Sequence, residues 1–198
     1  MTFVPVGGLL GLFEWNGWRD ATFQHGWRGL FSLLLMIFPG TVALFYASGY
    51  FSGFGLTPYY SASIALALGA ILGVVWGPAA MKPVLSRLDH GQQATRSWRD
   101  PNPGFGLLMA GGFFLLLGWL VATYVDRNLI PTAAFIPPST ALCLGGIGGA
   151  FDLTIAAILL RRRRTSGRVV EVSVKGDGWL YQDAPLARKA KASVQDSS

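Results

Sequence analysis

The sequence predicts an all-α membrane protein with four transmembrane helices, both termini on the cytoplasmic side, and a short cytoplasmic tail able to form a β-hairpin. Three observations carry this expectation. Only 13% of the residues are charged, against roughly 25% in an average soluble domain, and the mean hydropathy is +0.43. The apolar residues gather in three uncharged runs, Gly29 to Met81, Pro101 to Val125 and Asn128 to Phe151. Each is at least as long as the roughly 20 residues a helix needs to cross a bilayer. The basic residues, finally, fall on one side of those runs. This composition excludes intrinsic disorder as the main state, and it argues against an ordinary soluble globule.

Residues 1–28 read as an interfacial arm or a short amphipathic helix. They make a poor signal peptide, because no basic segment precedes Val4–Phe13 and Glu14 interrupts the apolar stretch. The first uncharged run is too long for one crossing. It divides at Gly53-Phe54-Gly55-Leu56-Thr57-Pro58, where glycines and a proline mark a turn. The spans are therefore about 29–50 and 59–80. A third covers about 105–125 and a fourth about 139–160, ended by Arg161-Arg162-Arg163-Arg164. Pro131, Pro137 and Pro138 keep the segment between the last two spans from continuing as helix. Residues 29–160 thus form the membrane domain and 161–198 a basic tail.

Orientation follows from charge. With four spans, every Lys and Arg except Arg127 lies on one face, and an excess of basic residues marks the cytoplasmic side. Trp15, Trp18, Trp27, Trp76 and Trp98 lie near that face, and Tyr50, Tyr59, Tyr60 and Tyr124 near the other. These rings favour the headgroup layer. The net charge of +6 is then a topology signal and not a nucleic-acid footprint. The expected location is a bacterial-type inner membrane, with Arg161, Arg162, Arg163 and Arg164 anchoring on anionic phospholipids.

The spans are rich in small residues. Ser61, Ala65, Gly69, Gly73 and Gly77 recur every four positions, and Ala141, Gly145 and Gly149 repeat the pattern. Such stripes let helix backbones approach closely in lipid. They serve either internal packing or contact with a second polypeptide. Pro39 sits midway along the first span and predicts a kink, either for shape or as a hinge.

Asp152 is the one formal charge inside a span. It lies about 12 Å of helix before Leu160 at 1.5 Å per residue, where an unpaired carboxylate costs several kcal/mol. No Lys, Arg or His falls within spans one to three as drawn. Three readings follow: a neutral hydrogen-bonded residue using Thr154 or a neighbouring hydroxyl, a pair with another subunit, or a proton or cation site.

The chain holds no Walker loop, GxSxG, HExxH or CxxC, so no enzyme activity, metal or cofactor is expected. The single cysteine, Cys143, rules out an intrachain disulfide. His25 and His90 lie outside the drawn spans, where haem ligation does not fit, and a metal set of His25, His90 and Asp89 has no known spacing. Asp89, His90 and Asp100 are too few for a lipid-modifying enzyme. In the tail, Val170, Val172 and Val174 alternate with polar residues, and Gly176-Asp177-Gly178 turns toward Trp179-Leu180-Tyr181. A lone hairpin is marginal in water, so it should dock on the membrane, on the 82–103 loop or on a partner's sheet edge. The last dozen residues read as disordered. Together these features point to an accessory or structural subunit of a membrane complex in transport or energy conversion. The alternative is a small autonomous proton- or cation-coupled carrier or channel built on Asp152.

Overall fold

The computed structural model describes residues 19–50, 56–97, 110–117, 120, 136–175 and 178–185. It is mostly helical, with four helices and one small antiparallel sheet. In chain order the elements are β1 (Arg19–Asp20), α1 (Ala21–Tyr50), α2 (Thr57–Asp89), β2 (Ala94–Ser97), α3 (described over 110–117), α4 (Ile136–Ser166), β3 (Arg168–Lys175) and β4 (Gly178–Pro185). Helices α2 and α4 are long and apolar enough to cross a membrane.

Each long helix outruns its apolar stretch. α1 begins at Ala21, eight residues before the uncharged run, because Asp20 caps it. The Asp20 carboxylate accepts a hydrogen bond at 2.8 Å from the Thr22 N–H, one of the donors a helix start leaves unpaired. The helix then continues through Pro39. α2 runs nine residues past Ala80 and includes Pro78 and Pro83. It closes at Gly91, whose φ of +70° lets Gly91 N–H reach Leu88 O and Gln92 N–H reach Arg87 O, both at 3.0 Å. α4 takes Pro137 and Pro138 into its first turn, where a missing N–H costs nothing. It runs through the arginine tetrad to Gly167, at φ +64°.

Helices α2 and α4 lie parallel. Along them Ser61 meets Ser139, Gly69 meets Cys143, Gly73 meets Ile147 and Gly77 meets Phe151. α1 is antiparallel to α4, with Gly26 against Ala156, Gly29 against Gly149 and Gly40 against Leu142. The described part of α3 joins them through Leu115, which clusters with Met36 and Ala141.

The strands close one end. Their order is β1-β3-β4-β2, antiparallel throughout. β1 precedes α1, β2 follows α2 and β3 follows α4, so the sheet gathers three helix ends. The tail hairpin forms as its alternation predicts, with Val172 opposite Tyr181 and Val174 opposite Trp179. It docks on the 82–103 segment through β2, where Ala94 pairs with Tyr181. Val170, Val172, Trp179 and Tyr181 share one core with Met81, Leu88, Phe151, Ile155 and Leu159 of the helices.

Candidate functional site: a buried histidine–aspartate pair

Two glycines build this site. A Cβ on Gly29 would stand 2.8 Å from the Gly149 carbonyl oxygen, and one on Gly149 would stand 3.0 Å from the Gly29 carbonyl oxygen. Only bare backbone allows α1 and α4 to lie this close. One turn from Gly29, toward the sheet, α1 carries His25. One turn from Gly149, in the same direction, α4 carries Asp152. The close approach brings two short side chains together, with His25 Nδ1 at 2.8 Å from Asp152 Oδ1. Asp152 is 1% exposed and His25 5%.

From the sheet, the Tyr181 ring stacks on the imidazole at 6.4 Å between centroids and 13° between planes. The pair is therefore walled by α1, α4 and β4. Flanking it on α1, the Gln24 amide nitrogen and the Ser32 hydroxyl are buried with no hydrogen-bond partner among the described residues.

Chemically, the pair sets an imidazole nitrogen against a carboxylate oxygen, and this hydrogen bond is what makes burying two ionisable groups in an apolar interior tolerable.

Asp152 thus finds its partner inside the chain, on a helix drawn too short from hydropathy. Thr154 does not serve it. The Thr154 hydroxyl donates back to the Ala150 carbonyl at 2.7 Å. Gly69 and Gly73 face the α4 backbone, where a Cβ would strike the Cys143 and Ile147 carbonyl oxygens. Ser61 Oγ lies 3.4 Å from Ser139 Oγ, and Ala65 lies half-buried between Ser61 and Gly69. Gly145 packs on Met36, and Ala141 is buried beside it.

The arginine tetrad divides. Arg162 binds Asp183 at 2.7 Å and Asp89 at 3.0 Å, and Arg163 binds Asp20 at 2.8 Å. These two side chains clamp the ends of α1, α2 and β4 to α4, while Arg161 and Arg164 are exposed. His90 bonds its own helix, Nδ1 to Ser86 O at 2.7 Å. Among the described residues no three His, Cys, Asp or Glu side chains form a metal-binding group. Trp15, Trp18, Trp98, Tyr124, Asp100 and Arg127 lie outside the described residues.

No protein-family model, curated protein or solved structure matches the chain.

Proposed function

We propose that this chain is a structural or accessory subunit of a multicomponent membrane complex, in transport or energy conversion. It spans a bacterial-type inner membrane four times, with both termini cytoplasmic, and its partners are other membrane subunits and anionic phospholipids. The observation that carries the reading is the clamped basic end of the bundle. Arg162, Arg163 and the four-stranded sheet fasten the ends of α1, α2 and α4 together, and glycine contacts press the helices to backbone distance. That is the construction of a rigid framework. The four-span topology draws support from the parallel pair α2 and α4. For both to run the same way, the chain between them must return to the far side, and the helical stretch 110–117 packs alongside. Purification in mild detergent tests the reading. Co-purifying membrane proteins in fixed ratio are expected, whereas recovery of this chain alone as a monodisperse monomer would overturn it.

A second reading is favoured by the His25–Asp152 pair: a proton- or cation-coupled carrier in which the pair is the coupling site. Reconstituted vesicles compare the chain with its Asp152→Asn variant. Loss of ion-coupled flux in the variant supports the carrier, and equal flux removes Asp152 from any transport mechanism.

A further inference from the structure

A crevice of about 370 Å³ opens between the last turns of α2 and strand β2. This lies within the roughly 300–1,000 Å³ of small-molecule sites. Its floor is apolar, made by Ala80, Pro83, Val84 and Ala94, and Val84 and Ala94 belong to the main core. The rest of its lining is polar: Arg87 near the end of α2, and Thr95 and Arg96 on β2. β2 is the outermost strand among the described residues. In an antiparallel pair alternate residues direct their N–H groups away from the partner strand, so this edge adds backbone donors. Among the described residues no carboxylate lines the crevice.

The charge balance distinguishes this place from the arginine tetrad. Arg162 and Arg163 are neutralised by Asp89, Asp183 and Asp20. Arg87 forms none of the ion pairs among the described residues, so it brings positive charge to the crevice. It also sits where α2 changes from large exposed apolar side chains, Val74, Val75 and Trp76, to Lys82 and Arg87. In a membrane-spanning helix that change marks the headgroup layer.

We infer that this crevice binds the headgroup phosphate of an anionic phospholipid. Arg87 and Arg96 hold the phosphate oxygens, since guanidinium forks suit phosphate geometry, and the apolar floor accommodates the glycerol end of the lipid. A free phosphate shares the charge but has no use for that floor. The inference rests on the membrane reading above.

The test uses the full chain. Flotation with phosphatidylcholine vesicles first establishes membrane insertion. Native mass spectrometry of the detergent-extracted protein then compares retained phosphatidylglycerol with retained phosphatidylcholine, with and without millimolar inorganic phosphate. Phosphatidylglycerol is expected to be preferred. Arg87→Gln and Arg96→Gln are each expected to lower that preference about fivefold. Lys175→Gln, an equal loss of charge at an exposed position on β3, is expected to leave it unchanged. Arg87 is exposed, so its replacement leaves the packed core intact. An equal loss in the Lys175→Gln variant would make the attraction diffuse and overturn the site. Displacement of the lipid by inorganic phosphate would overturn the lipid as ligand. A chain that inserts but shows no preference overturns this inference alone. A chain that fails to float overturns the membrane reading, and the inference with it.

Discussion

A carboxylate that is 1% exposed in an apolar bundle needs a group to share its charge, and His25 is that group. Removing one member of a buried pair strands the other. Asp152→Ala is therefore expected to destabilise the folded chain by about 3–5 kcal/mol, and His25→Ala by a similar amount. The His25→Leu/Asp152→Leu double variant, which removes both polar groups, should cost less than the sum of its single variants. Unfolding of the detergent-solubilised protein measures all of these, and strict additivity would mean that the two residues do not act as a pair. The arginine tetrad gives a second contrast. Arg162→Gln leaves the Asp183 carboxylate, one oxygen of which has no hydrogen-bond partner among the described residues, without its cation, and should cost about 3 kcal/mol. Arg161→Gln, at an exposed position, should stay within about 0.5 kcal/mol. An equal cost for both variants would mean that Arg162 does not clamp β4 and α2 to α4. Asp152 was legible in the sequence because one charge in an uncharged run has no bland explanation. His25 was not, because hydropathy starts the helix where charge ends, at Arg28. The capping side chain of Asp20 starts it a full two turns earlier. That signal, an Asp two residues before Thr22, was present but carries little weight beside a long apolar run.

At the scale of elements, glycine does two different jobs, and substitution separates them. At Gly73 a Cβ would lie 2.8 Å from Phe151 N and 2.9 Å from Ala150 Cβ, so α2 and α4 would have to move apart. Gly73→Ala is expected to cost about 1–3 kcal/mol through overpacking. At Gly167 nothing lies within 4 Å of the added carbon, but the backbone φ is +64°. Gly167→Ala should cost about 1–2 kcal/mol through the left-handed conformation alone. A D-alanine at Gly167, introduced by semisynthesis, should recover that loss, whereas at Gly73 it should not. Recovery at both positions would mean that Gly73 is a backbone requirement and not a packing one. The four-residue spacing from Ser61 to Gly77 announced close helix contact but could not say with which helix, since a stripe specifies a surface and not its partner. The hairpin was legible from valine alternation over the six residues Val170 to Lys175. β1 and β2, two and four residues long, are too short to show a period, and they exist because the hairpin's edges need covering.

For the whole molecule, the distribution of charge and the direction of the helices both bear on the proposed topology. The basic residues were sorted to one face by counting spans. The helix directions come from packing, with α2 and α4 parallel and α1 opposed to both. A sheet drawn from three separate segments can form only if the start of α1 and the ends of α2 and α4 lie together, and these are the ends that carry Arg162, Arg163, Asp20 and Asp89. The topology therefore makes a demand on the chain as a whole. In intact cells a membrane-impermeant thiol reagent should label Arg127→Cys and leave Lys175→Cys, on β3, untouched; permeabilisation should expose both. The background for each is Cys143→Ala, which removes the one native thiol. Labelling of Lys175→Cys at the same rate in intact cells would place the sheet outside and reverse the orientation. Protection of Arg127→Cys in intact cells, with labelling only after permeabilisation, would put both loops on the cytoplasmic side. The parallel pair would then need a return path that does not cross the membrane, and the four-span reading would fall.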